Sequence, residues 1–248
     1  MFFGYNGVNQ KVINTVLILI IVMGLFSMTK NEWIYLLLTF PAVIMAITFH
    51  EFAHAFAADR LGDTTPRNQG RLSLNPITHL DPFGFFLMMF AHIGWGKPVQ
   101  INPNNFNSNK SRGFCEAMVS FAGPLMNFIL AIISCTAYLL IITFAGDSFV
   151  NGGFGYWFLT FLSMLITVNI GLGVFNLIPL PPLDGEKIFR NFLPYNAKLW
   201  LTNNYQTLYV VFLILWIFGW LEIIVAPVIN LLSNLLFTGV SYIISLFL

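Results

Sequence analysis

Two histidines and a glutamate are spaced so that they could bind a metal ion and use it. His50 and His54 are four residues apart, so on a helix their side chains leave the same face. Both imidazoles can then bind one Zn²⁺, while Glu51, about 100° round the helix, can reach the water that such an ion activates. The spacing predicts zinc on His50 and His54 with Glu51 as general base. The alternative is two helix histidines that are hydrogen-bonded to their neighbours.

The sequence around this motif is strongly apolar. The chain is 57% hydrophobic and 8% charged, with a mean hydropathy of +0.78, whereas soluble proteins carry about 25% charged residues. This composition indicates an integral membrane protein in contact with the lipid bilayer. Ionisable groups at membrane depth are expensive and usually functional, which favours the metal site over the alternative. The net charge of +1, without a basic run, gives no indication of nucleic-acid binding.

The hydrophobic pattern predicts an all-α polytopic membrane protein with about six transmembrane helices. Four apolar runs have close to the roughly 20 residues that cross a bilayer, or more. They are residues 12–28, 33–58, 114–145 and 155–178. Residues 208–248 are long enough to cross twice, with the reversal near Gly219, Glu222 and Pro227. We therefore expect one transmembrane domain over residues 1–248, with a catalytic core from 33 to 200.

The segment between the second and third spans differs from the rest. Residues 82–95 are apolar but too short for an ordinary span, which favours a re-entrant or interfacial element. Residues 98–101 alternate like a short strand, so a small β-hairpin within 82–101 is expected. Such a hairpin could pair with an extended peptide by strand addition.

Basic residues predict the orientation in the membrane. Nine of the eleven lie in two segments, 59–112 and 185–200, while the connection 146–154 has none. With the spans counted as above, both basic segments fall on one side, and loops rich in Lys and Arg stay cytoplasmic. The N-terminus and the end of the second span that carries the motif are thus predicted to face the cytoplasm.

A catalytic zinc site needs a third protein ligand. The candidates at a suitable depth are His79, Asp81, His92, Asp184 and Glu222. Asp184 is the strongest, because it follows a span that returns to the side of the motif and lies between prolines and Gly185, where the backbone is expected to be non-helical. On spacing alone, it is equally well explained as the N-cap of the next helix.

For His79 and Asp81, a turn or interfacial role before Pro82 is favoured over ligation. Asn127, alone on an apolar helix, fits either helix–helix contact or a hydrogen bond to substrate.

Four segments together resemble the site-2 protease family of intramembrane zinc metalloproteases, in its compact bacterial and archaeal branch without PDZ or CBS domains. They are His50-Glu51-x-x-His54, Gly123-Pro124-x-x-Asn127, Asn176-x-x-Pro179-x-Pro181-x-x-Asp184-Gly185 and His79-Leu80-Asp81-Pro82-x-Gly84. The resemblance implies zinc on His50, His54 and Asp184, Glu51 as general base, and Asn127 as a substrate-binding residue. The ligand loop is then residues 179–185.

The function implied by this resemblance is cleavage of a transmembrane protein substrate near the cytoplasmic side of a prokaryotic plasma membrane. Two alternatives remain at this stage. One is a catalytically silent relative that kept the metal site, and the other is an ion transporter, in which intramembrane His and Asp residues bind a passing ion.

Overall fold

The computed structural model describes residues 29–91, 95–107 and 109–247, and the regular structure of these residues is helical. Eleven α-helices, numbered here in chain order, make up this part of the chain. They are α1 (Lys30–Arg60), α2 (Thr65–Asn68), α3 (Pro76–His79), α4 (Pro82–Ala91), α5 (Arg112–Phe144), α6 (Asp147–Val150), α7 (Gly153–Asn176), α8 (Asp184–Phe192), α9 (Tyr195–Asn203), α10 (Tyr205–Ile217) and α11 (Trp220–Ser245). The prediction of an all-α protein is confirmed for these residues.

Four of these helices are long and apolar enough to cross a membrane. They are α1, α5, α7 and α11. The helical structure is interrupted at Gly219, which takes a positive φ of 71°. This position is close to where a reversal was expected. The helix before this break, α10, has only 13 residues or about 20 Å, which is short of the roughly 30 Å hydrocarbon core. The predicted first span, 12–28, lies outside the described residues. A multi-pass membrane protein is confirmed, but the count of about six spans is not.

The centre of the bundle is formed by α5, which packs against α1, α7 and α8. One apolar cluster joins α5 and α7 to α11. Its buried members are Ala131, Cys135, Ile166, Ile170, Val174, Val225 and Val240. A second cluster, around Val43, Ile47 and Phe85, joins α1 to α4. Both cysteines, Cys115 and Cys135, are buried and unbridged on α5.

The segment between α1 and α5 is mostly loop and short helices. Residues 82–91, expected to be re-entrant or interfacial, form the ten-residue helix α4. A single antiparallel bridge joins Leu80 and Gly96, and the described residues contain no strand, so the predicted hairpin is not confirmed.

Buried Asp63 holds two parts of this segment together. Its carboxylate accepts hydrogen bonds from the Thr65 backbone and hydroxyl, from the Asn102 backbone N–H at 2.6 Å and from the Asn105 side chain. The chain from 97 to 102 is therefore fixed close to the end of α1 that carries the histidine motif.

Candidate metal centre

Each motif histidine uses its Nδ1 atom to bind a neighbouring helix. His50 Nδ1 lies 2.7 Å from Asn127 Oδ1, and His54 Nδ1 lies 2.7 Å from the backbone oxygen of Val119. Both partners are oxygens that only accept, so each Nδ1 must carry the proton and donate it. The Nε2 atoms of both imidazoles are consequently unprotonated, with a lone pair available to a metal.

The two Nε2 atoms converge with one carboxylate oxygen. They lie 3.0 Å apart, and Asp184 Oδ2 lies 3.2 Å from His50 Nε2 and 3.1 Å from His54 Nε2. Ligand atoms around a tetrahedral zinc lie about 3.3 Å apart, given zinc–nitrogen distances of about 2.0 Å. Two lone pairs and an anionic oxygen this close repel each other unless a cation lies between them. The donor set and its dimensions therefore fit a zinc ion, with one coordination position left over.

Local sequence places Asp184 in this group. Helix α7 ends at Asn176, residues 177–183 form turns, and α8 begins at Asp184. Gly185 is needed there, because a Cβ would lie 2.3 Å from the backbone oxygen of Ile178. The N-cap of α8 is Leu183, so Asp184 is the first residue of the helix and not its cap, and its carboxylate lies beside the imidazoles.

A glycine allows α5 to approach the histidines. A Cβ on Gly123 would lie 2.4 Å from His54 Nε2 and 2.6 Å from His50 Cε1, closer than such atoms can come. The Gly123-Pro124 pair lies inside α5, and Gly123 faces the two imidazoles.

Asn127 is fully buried, and its amide is bonded entirely to protein groups. Its Oδ1 accepts from His50, while its Nδ2 donates to the Ala46 oxygen at 3.2 Å and to Asn169 Oδ1 at 2.9 Å. This network joins α1, α5 and α7. The amide therefore orients His50, while the contact with substrate that the resemblance implied stays a prediction. Asn169, also fully buried, was missed; an amide in the middle of the apolar run 155–178 was the available signal.

Glu51 lies beside the three ligands but is not one of them. Its Oε2 accepts a hydrogen bond of 3.0 Å from the backbone N–H of Val99. Gly96 is close to the other oxygen, since a Cβ there would lie 3.5 Å from Glu51 Oε1. The Glu51 carboxylate is thus held by the segment that follows α4, a contact that the spacing of residues 51 and 99 does not reveal.

A buried arginine fixes that segment. The Arg71 guanidinium donates to the backbone oxygens of Thr78 and Lys97, and the Lys97 N–H donates to the His79 oxygen at 2.8 Å. Burial lowers the pKa of Arg71, while the nearby negative charge of Glu51 opposes this change. Arg71 therefore links the turn before α4 to the strip of chain that contacts Glu51.

The other candidate ligands lie elsewhere. His79 Nε2 donates to the Ser73 oxygen at 2.6 Å, and Asp81 Oδ1 accepts from the Gly84 N–H at 2.7 Å, as a turn before Pro82 requires. Glu222 is exposed in the first turn of α11. His92 lies outside the described residues.

Comparison with known proteins identifies the family of this chain. The model of peptidase family M50, the site-2 protease family, matches residues 38–219. The chain belongs to this family. The match covers both ends of the site, from the histidine helix to the loop of Asp184, so the resemblance seen in the sequence motifs is confirmed.

Curated relatives of this M50 chain carry metalloprotease names. It is 38% identical over 196 residues to a Bacillus subtilis protein named "Putative zinc metalloprotease YwhC", covering 79% of this chain and 86% of the relative. It is 30% identical over 181 residues to "Zinc metalloprotease MJ0392" of Methanocaldococcus jannaschii, covering 73% of this chain but 41% of that longer protein. No solved structure matches at a significant level. Family and names together show a zinc-dependent membrane protease.

Proposed function

We propose that this M50 protease hydrolyses peptide bonds of transmembrane protein substrates inside the membrane. The observation that carries the proposal is the triangle of His50 Nε2, His54 Nε2 and Asp184 Oδ2, with the carboxylate of Glu51 adjacent but outside it. A transporter needs ligands and a path for the ion, whereas a hydrolase also needs a base that does not bind the metal. Glu51 has that position.

The protein residues have separate tasks in this mechanism. His50, His54 and Asp184 would hold the zinc, which when bound polarises the scissile carbonyl and activates the attacking water. Glu51 takes the proton from that water and delivers it to the leaving nitrogen. The Val99 N–H holds the Glu51 carboxylate in place while it does so. Asn127 keeps the His50 ring oriented with its Nε2 towards the metal.

Replacement of Glu51 tests the proposal directly. Purified Glu51→Gln should keep one zinc per chain and cleave a helical transmembrane substrate at least about a hundredfold more slowly, which is the scale of general base catalysis. Glu222→Gln, which removes an exposed carboxylate far along the chain, should behave as wild type. Zinc content and cleavage are measured on the same samples. Cleavage retained by Glu51→Gln, no cleavage by the wild type, or zinc transport across liposomes would each contradict the proposal.

We also propose that the substrate lies extended along residues 97–101. A substrate helix must unwind before its carbonyl can react, because its backbone is otherwise hydrogen-bonded within itself. The segment 97–101 runs past Glu51, and after Lys97, whose N–H donates to the His79 oxygen, residues 98–101 form no backbone–backbone hydrogen bond within the described part of the chain, so they offer backbone groups for strand addition. Ile101→Pro, which removes one N–H two residues beyond the contact with Glu51, should impair cleavage but not zinc content. Unchanged cleavage would exclude this binding mode.

The active site is proposed to open on the cytoplasmic side. The support is the distribution of basic residues. Nine of the eleven lie in the segments 59–112 and 185–200, which begin soon after His54 and directly after Asp184. A cysteine introduced at exposed Arg67 should react with an impermeant thiol reagent in inverted vesicles and not in intact cells. The reverse labelling pattern would overturn this orientation.

A further inference from the structure

A polar cavity of about 330 Å³ lies beside the start of α5, at the surface that α8 and α9 form. Three helices contribute its polar lining. These residues are Glu116 of α5, Lys187, Arg190 and Asn191 of α8, and Lys198 and Thr202 of α9. None of them holds the metal or contacts Glu51, so the cavity is separate from the metal centre, although α8 also carries Asp184.

The charges in this cavity are not balanced. Arg190 faces carboxylates on both sides, 3.6 Å from Glu116 Oε2 and 3.5 Å from Glu186 Oε1. Lys187 and Lys198 form no ion pair with any residue in 29–91, 95–107 or 109–247, and the Lys198 ammonium instead donates to the Asn191 backbone oxygen at 3.1 Å. Even with Glu186 counted beside Glu116, three cations face two carboxylates, and the two lysines without an ion pair favour an anionic occupant.

The backbone at the edge of the cavity also favours an anionic occupant. Gly113 lies in the first turn of α5, a 33-residue helix whose amino-terminal end carries partial positive charge. A Cβ on Gly113 would lie 2.9 Å from Asn191 Oδ1, so the Asn191 side chain of α8 packs directly against the start of α5.

Exposed aromatic side chains on the two helices that carry the cations, α8 and α9, indicate where the anion comes from. Phe192 at the end of α8 is 73% exposed, and Tyr195 and Trp200 on α9 are 72% and 57% exposed. Aromatic residues next to basic ones are typical of the membrane–water interface, where the ring contacts acyl chains and the cation reaches the headgroup. Helices with this combination of exposed aromatic and basic residues fit an occupant delivered by the bilayer better than one delivered by the aqueous phase.

We propose that this cavity binds the phosphate of an anionic phospholipid headgroup. The Lys187 and Lys198 ammonium groups would hold the phosphate oxygens, and Arg190 would add a third cation at the cost of its loose contact with Glu116. Basic cavities between helices at a membrane surface are suited to such headgroups. This inference depends on the membrane setting of the chain and not on its protease activity.

Lipid retention by the full chain tests the proposal. The protein is reconstituted in phosphatidylcholine with added phosphatidylglycerol, and retained phosphatidylglycerol is counted by native mass spectrometry. Lys187→Gln and Lys198→Gln should each weaken retention by about fivefold, the effect of one basic residue near a lipid surface. Arg60→Gln removes one exposed charge from the end of α1, outside the cavity, and should retain lipid as the wild type does. Lys187→Arg should retain most of the binding.

Three results would overturn the proposal. One is equal retention by wild type and both cavity variants, each shown to be folded by its elution volume and zinc content. A second is an equal loss in Arg60→Gln, which would indicate general surface charge. The third is binding of inorganic phosphate by the solubilised protein without retention of phosphatidylglycerol, which would assign the cavity to a soluble phosphate.

Discussion

The metal centre depends on which nitrogen each imidazole leaves free. Asn127 Oδ1 and the Val119 oxygen take the Nδ1–H groups of His50 and His54, so both Nε2 lone pairs face Asp184. Buried hydrogen-bond partners of this kind fix the ring and raise the basicity of the ligand. Asn127 of α5 therefore contacts the metal centre through His50, and Asn169 of α7 contacts it through Asn127.

At the residue scale, Gly123→Ala should abolish zinc binding. Its Cβ would lie 2.4 Å from His54 Nε2, so either the imidazoles or the whole of α5 must move. The zinc content, measured by atomic absorption, should fall well below one ion per chain. Gly239→Ala is a matched control, since this helical glycine has open space around its missing side chain. A normal zinc content in Gly123→Ala would contradict the close approach described here.

At the scale of elements, two irregular stretches of chain bring the reactive groups together. Residues 177–183 carry Asp184 back to α1, and the packing of the Leu177 and Ile178 oxygens against Gly185 fixes the start of α8. Residues 97–102 run along the motif helix and are tied at Lys97, Val99 and Asn102. The first stretch completes the metal site, and the second holds the base.

The second stretch leads to a prediction for Arg71. Arg71→Gln should slow cleavage about tenfold or more, because the Thr78 and Lys97 carbonyls lose a charged donor and the contact of Val99 with Glu51 shifts. Zinc content should be unchanged, since Arg71 bonds to none of the three ligands. The measurement is the cleavage rate at saturating substrate together with zinc content.

A control for Arg71 is available on the same segment. Arg67 is 60% exposed and pairs with Asp59, so Arg67→Gln should have little effect on cleavage. Arg71→Lys keeps the positive charge but loses the planar set of N–H donors of the guanidinium. Partial recovery of cleavage in this variant would show that both the charge and the donor geometry position the segment. Full activity in Arg71→Gln would exclude the role assigned to it.

At the scale of the whole molecule, the metal ligands join distant parts of the chain. His50 and His54 belong to α1, while Asp184 lies on α8, after two further membrane helices. A ligand that binds only the folded chain stabilises it by about 4 kcal/mol when present at a thousand times its dissociation constant. Zinc should therefore hold the bundle together as well as supply chemistry.

Metal removal tests this contribution. A strong chelator should lower the melting temperature of the solubilised protein by several degrees, and added zinc should restore it. Asp184→Asn, with its third ligand weakened, should melt lower and respond little to either treatment. The change is followed by fluorescence during heating. An equal response in wild type and Asp184→Asn would show that the metal does not join α8 to α1.

Local patterns in the sequence determined much of this protein. Composition gave the membrane setting, the apolar runs gave α1, α5 and α7 nearly to their ends, and the four-residue spacing of His50 and His54 put two imidazoles on one face. These features follow from helical periodicity and burial in lipid, which act within one helix and can be read without its neighbours.

Only the tertiary structure decided how those helices meet. It placed Asp184 beside the imidazoles, where spacing allowed an N-cap equally well, and directed Asn127 towards His50 and Asn169. It made residues 82–91 a short helix without the expected hairpin, and brought Val99 to Glu51. These contacts depend on packing between segments far apart in the chain, and no local periodicity records which side chains such packing brings together.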